Sequence, residues 1–201
     1  MDQEGTDSVS AQNIPLRCES VALMVKKDQL STFFPLLQRG VTVQAIVGCS
    51  LRELLTGQFG IPADYVTGRI TTIFLDNSPV DDLDSIIREG ARVSLSAAMP
   101  GLVGAVMRRS GFYAALRQGI THAESAGQVE AASGTVRLKL FNLLLPELAP
   151  LILARGVLLE RSELDGLRGE LSATSRMGIA SSYPCERDAC GGILLKVSFR
   201  D

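Results

Sequence analysis

Two small groups of residues have the types and spacing from which chemistry could be built. The first is Cys185 and Cys190 in "CERDAC", followed by Gly191 and Gly192. Such a pair can close a disulfide, share a metal ion or expose a thiolate, and a glycine pair lets the backbone turn tightly beside the sulfurs. The spacing is wider than a redox CxxC or the tight arm of a zinc knuckle. Free thiols at Cys18, Cys49, Cys185 and Cys190 are therefore the plainer reading, with a thiol or metal pair at Cys185 and Cys190 as the alternative. The second group is Gly101 and Gly104, ahead of Arg108 and Arg109, with Arg117 further on. A GxxG at a helix start, followed one turn later by two guanidiniums, would aim backbone N–H groups and cations at a phosphate or carboxylate, or at a partner surface. It lacks the lysine and hydroxyl residue of a nucleotide P-loop, and a glycine-hinged connector with solvated arginines is the simpler alternative.

The rest of the inventory narrows the field. His122 is the only histidine, and no Ser, Cys or acid stands in a motif that would make it a nucleophile's base. Asp81, Asp82 and Asp84 could meet a hard cation, but the glycine and distal Glu of a calcium loop are missing. No catalytic residue and no cofactor is assigned. Trp is absent and aromatics are 5% of the chain, which argues against a base-stacking platform, and a net charge of −2 gives no reason to expect nucleic acid. Apolar residues make up 46% and charged residues 21%, a globular balance. The most apolar stretch, around Leu143 to Leu159, is broken by Pro146, Glu147, Pro150 and Arg155, short of the ~20 residues of a membrane helix. The first dozen residues are polar and acidic, unlike a signal peptide. The expectation is a cytoplasmic protein with no membrane contact and a protein partner.

Several elements must position these groups. Val21, Leu23 and Val25 alternate as a first strand; "DQLSTFFPLLQRG" reads as a loop or short helix interrupted at Pro35. Val41, Val43, Ala45 and Val47 share one face of a second strand. Ser50, with Glu53 three places on, has the spacing of a capping box, and Leu51, Leu54 and Leu55 fall on one helical face. Ile70 to Leu75 reads as a central strand, "DNSP" as a turn, and Val93, Leu95 and Ala97 as a returning strand. From Ala91 to His122 the chain holds Arg92, Arg108, Arg109 and Arg117 but no carboxylate, just after Asp76, Asp81, Asp82, Asp84 and Glu89. That contrast makes either a partner surface or an internal salt-bridge seam.

Three pieces together carry a resemblance. "GCSLRELL", "FLDNSPVDD" and "IREGARVSLSAAMPGLVG" are similar to the helix entry, strand-turn and closing segment of the sulfur-carrier branch of the β-grasp (ubiquitin-like) superfamily, the group of the molybdopterin-synthase small subunit and the thiamine sulfur carrier. The match runs from Val21 to Gly104. It implies a β-grasp fold, but carriers of this branch work through a free C-terminal Gly-Gly, whereas here Gly101 and Gly104 are separated by two residues and Ala105 follows. Ala91 also stands where the family has Asp. The resemblance thus implies a non-catalytic binding or adaptor protein, with a link to enzymes of sulfur or molybdenum-cofactor metabolism. The alternative is a processed or atypical sulfur-transfer protein using a new glycine terminus or a persulfide on Cys185 or Cys190.

Beyond His122, "AESAGQVEAASG" reads as a linker. "TVRLKLF" alternates as a strand; Asn142 is placed to cap "LLLPELAPLILARG"; "VLLE" is a short strand; Ser162 is placed to cap "ELDGLRGEL"; and "ILLKVSF" is a closing strand. The expected fold class is α+β: a tail over residues 1–16, a β-grasp-like domain over 17–104, a basic connector over 105–134 and a smaller α+β part over 135–201.

Overall fold

The computed structural model describes residues 17–18, 20–122, 130–171, 176–178, 183–184 and 192–200. The fold is α+β. In chain order the strands are β1 (Arg17–Cys18), β2 (Ser20–Lys26), β3 (Val41–Val47), β4 (Thr72–Leu75), β5 (Ser78–Pro79), β6 (Arg92–Ser96), β7 (Ala132–Phe141), β8 (Val157–Leu159), β9 (Arg176–Gly178), β10 (Tyr183–Pro184) and β11 (Ile193–Arg200). The α-helices are α1 (Phe34–Arg39), α2 (Leu51–Glu53), α3 (Ala63–Gly68), α4 (Gly101–Met107), α5 (Leu144–Arg155) and α6 (Arg161–Glu170). A 3-10 segment, Lys27–Phe33, precedes α1, a π-helical turn, Leu54–Gln58, extends α2, and a second 3-10 segment spans Phe112–Ile120.

One mixed sheet runs β5-β4-β6-β7-β3-β8-β11-β2-β9, and β1 pairs separately with β10. Its centre is the antiparallel pair β3 and β7, in which Val41 faces Leu138 and Val47 faces Ala132. The period-2 pattern is kept: Val41, Val43, Ala45 and Val47 are buried, as are Val136, Leu138 and Leu140. These side chains join Leu36, Leu51, Leu54, Leu148, Ile152 and Leu164 of the helices in one continuous core. β6 lies parallel to β7, and β4 antiparallel to β6.

The first strand goes elsewhere than the sequence suggests. β2 does not neighbour β3; it pairs in parallel with β11, Val21 beside Leu195 and Val25 beside Phe199, and the neighbour of β3 is β7. Alternation says which face a strand buries and leaves its neighbour open. Local capping also differs in places. Ser50 accepts from the Glu53 N–H at 3.1 Å, as its spacing demands. Pro35 opens α1 rather than breaking it, since a first-turn proline has no N–H to lose. Asn142 does not cap α5. Its backbone is left-handed (φ 55°), and its side chain donates to Ser96 Oγ at 3.1 Å and to the Ala98 carbonyl. Glu160 rather than Ser162 caps α6, in a box closed by its own N–H donating to Glu163 at 3.1 Å.

A short motif occurs twice at the sheet centre. Arg39-Gly40-Val41 joins α1 to β3, and Arg155-Gly156-Val157 joins α5 to β8. The two strands are antiparallel neighbours through Thr42 and Leu158. Both glycines close their helices with positive φ, 105° and 115°, a region that β-carbons disfavour.

Candidate functional site

The connector between β6 and β7 is the part of the molecule least explained by the core. Among the described residues from 98 to 131, none belongs to the hydrophobic cluster or is a hydrophobic packed against it. α4 and the 3-10 segment Phe112–Ile120 form a helical hairpin, turned by Ser110 in the left-handed region (φ 53°). Gly104 is buried in the middle of α4, where a β-carbon would run into the Met99 carbonyl. The expected glycine hinge is therefore a close helix contact at Gly104, while Gly101 is the exposed first residue of α4.

Polar groups tie this hairpin to the body. Arg117 is buried; its Nη2 lies 2.6 Å from Asp81, its Nε donates to the Val106 carbonyl at 2.9 Å, and its Nη1 donates to Thr121 Oγ1 at 3.0 Å. The Ser110 N–H donates to the same Asp81 oxygen at 3.0 Å. The Arg109 N–H donates to the Thr71 carbonyl at 2.7 Å, and the His122 N–H donates to Pro79 at 2.9 Å. Arg109 folds inward, its Nη2 donating at 2.8 Å to the Val66 carbonyl in the last turn of α3, where a cation suits the helix dipole. Its Nη1 is buried without a partner. Burial pushes the Arg109 pKa down, opposed by the charge of Asp81 and assisted by that of Arg52. Arg108 alone of the three is exposed.

The five expected residues therefore occupy different roles. Arg117 and Asp81 form a salt-bridge seam, Arg109 ties the hairpin to α3, Arg108 faces solvent, and the two glycines shape α4. The acidic group is likewise occupied: Asp82 accepts from the Asp84 N–H at 2.8 Å, and Asp84 accepts from Arg52 at 3.1 Å. Among the described residues no group of three His, Cys, Asp or Glu is placed to hold a metal. Cys185 and Cys190 lie outside the described residues. Cys49 is half-buried, its thiol donating to the Ile46 carbonyl at 3.1 Å and accepting from Gln58 at 3.2 Å; burial raises its pKa.

What the hairpin shows to solvent is apolar. Leu102 is 71% exposed, Val103 59%, Phe112 91%, Leu116 73% and Ile120 54%. Tyr113 is also exposed and meets Phe112 edge to face, ring centroids 5.1 Å apart. Single exposed hydrophobics are ordinary, whereas six within twenty residues make this hairpin the candidate contact surface. Reading the arginines first misses this. The available signal was the spacing of Phe112, Tyr113, Leu116 and Ile120, one stripe at helical periodicity in a stretch without carboxylates.

No protein-family model, curated protein or solved structure matches the chain. Among the described residues, no helix is long and apolar enough to cross a membrane.

Proposed function

We propose that the protein is a non-catalytic adaptor that docks a partner protein through the α4 hairpin. The observation that carries this reading is the set of apolar side chains on Leu102, Val103, Phe112, Leu116 and Ile120, excluded from the core and held in water by polar ties. Full burial of one such side chain stabilises a complex by about 1.5–3 kcal/mol, so a few suffice for a specific contact. A nine-residue 3-10 run adds support, because its eclipsed side chains and weaker hydrogen bonds make it easy to reshape on docking. Arg108 beside the patch, and the lack of carboxylates from Ala91 to His122, fit a partner groove with an acidic rim.

The scaffold reading is a β-grasp unit whose first strand is supplied late in the chain. Such a unit needs a hairpin, a helix across it, and a last strand parallel to the first. What supports it is the β3–β7 antiparallel pair and the parallel β6–β7 pair, with β7 in place of β2. Enzymes of sulfur and molybdenum-cofactor metabolism are then the first partners to try.

The test is a photo-crosslinking amino acid placed at Leu116 in the native host, with the same group at exposed Gln38 as control. A discrete adduct with another protein, specific to position 116 and lost in Phe112→Ser, is expected. Only self-adducts, or the same adducts from position 38, would overturn the reading.

A further inference from the structure

A second surface, independent of the hairpin, is the open face of the sheet. None of the strands contains Asp or Glu, while the outward positions carry Lys26, Arg92, Arg137, Lys139, Lys196 and Arg200. Three of these gather at one place. Arg92 stands directly beside Arg137 on parallel strands, and Lys139 follows Arg137 on the same face. Neighbouring strands are about 4.8 Å apart and alternate residues about 7 Å, so three cations share one small area. Like charges placed side by side on a sheet are destabilising. No hydrogen bond or ion pair engages the side chains of Arg92, Arg137 or Lys139 among the described residues. The Glu89 carboxylate beside β7 is occupied by the Thr135 N–H at 3.0 Å and the Thr135 hydroxyl at 2.7 Å.

Beside this strip runs a groove of about 710 Å³, lined by Gly40, Thr42 and Leu158, by Arg137 of β7, and by Glu160, Arg161 and Glu163 at the α6 start. Gly40 keeps the floor low: a β-carbon there would meet Lys139 Cγ at 2.9 Å and Arg137 Nε at 3.1 Å, so both cationic side chains lean across it. The groove is thus uneven in charge, cationic along β7 and mixed along α6, where two carboxylates flank the single guanidinium of Arg161. A uniform polyanion such as nucleic acid would place phosphates against Glu160 and Glu163. A polypeptide with carboxylates on one side and neutral or basic groups on the other meets both walls.

We propose that this groove seats an extended, mixed-charge segment of a partner protein, its carboxylates against Arg92, Arg137 and Lys139. The test is fluorescence anisotropy with a labelled peptide, glutamate-rich in one half and lysine-containing in the other, at low and physiological salt. An Arg137→Glu/Lys139→Glu double variant should bind at least about tenfold more weakly. Arg108→Glu, the same charge reversal at an exposed arginine of the hairpin, should bind as wild type, and all three proteins should keep the same melting curve. Equal weakening by Arg108→Glu, tighter binding of an oligothymidylate than of the peptide, or no binding by the wild type would overturn it.

Discussion

The Arg117 guanidinium, with 1% of its side chain exposed, lies 2.6 Å from an Asp81 carboxylate that is itself 37% exposed. That one carboxylate also receives the Ser110 N–H, so a single residue after β5 holds both the turn and the second arm of the hairpin. Asp81→Ala strands a buried cation, which costs about 2–3 kcal/mol, somewhat less than a wholly buried pair because Asp81 is partly wet. The loss should be local. Amide exchange at Ser110 and through 112–121 should speed up about a hundredfold, with the β3–β7 ladder unchanged. Adding Arg117→Met to Asp81→Ala removes the stranded charge and should recover part of the protection; if the double variant exchanges faster still, the pair is not what holds the hairpin.

Gly40 and Gly156 make a second prediction. Each takes a positive φ at the junction of a helix and a central strand, and each has a lysine stem over it, Lys139 Cγ at 2.9 Å and Lys196 Cγ at 3.3 Å from where a β-carbon would stand. Gly40→Ala and Gly156→Ala should each cost about 1–3 kcal/mol in denaturant unfolding. The repeated Arg-Gly-Val predicts comparable losses at the two sites, and a neutral result at either would show that its junction relaxes.

The legible parts of this fold are those decided by nearest neighbours along the chain. The Ser50 cap and the buried alternation of Val41 to Val47 follow from local geometry and appear where the residues put them. What local pattern cannot carry is choice among equivalent partners. β2, β7 and β11 alternate alike, so nothing in "VALMV" specifies β11 over β3; contacts distant in sequence decide it. Asn142 and Ser162 had the right side chains for caps, yet Ser96 and Ala98 drew the first away, and Glu160 stood one position before the first turn of α6. At the candidate site, Arg108, Arg109 and Arg117 are chemically identical in sequence. Only the packing of the hairpin against Asp81 and α3 separates a buried tie from an exposed cation.

Tyr65, Arg69 and Glu147 give a pH signature. Glu147 accepts from Arg69 and from the Tyr65 hydroxyl, joining the α3 region to α5. Burial, with the hydrogen bond to Glu147 next, pushes the Tyr65 pKa up to about 12, and Arg69, followed by Tyr65, holds Glu147 below its ordinary value. For Tyr65 the folded pKa exceeds the unfolded one, so its contribution is complete below about pH 10 and is lost as pH rises toward 12. For Glu147 the folded pKa is depressed, so its contribution is present above about pH 4.3 and fades as pH falls through the folded value. Melting temperatures of wild type and Tyr65→Phe should therefore run parallel from about pH 6 to about pH 9 and converge above about pH 10. A constant offset through pH 11 would contradict the raised tyrosine pKa.

The hairpin separates stability from docking, which gives the last prediction. Phe112 and Leu116 are 91% and 73% exposed and lie outside the core, so Phe112→Ser and Leu116→Ser should each change unfolding free energy by less than about 0.5 kcal/mol. If these side chains form the centre of an interface, each substitution should weaken partner binding by about 2 kcal/mol or more, roughly thirtyfold in affinity. Val103→Ser, at the edge of the same patch and 59% exposed, should cost less than either. The two measurements, chemical unfolding and equilibrium binding on the same samples, must diverge for the adaptor reading to stand. Were Phe112→Ser to destabilise the fold as much as it weakens binding, the ring would be packing against the protein itself, and the patch would be part of the fold rather than its docking surface.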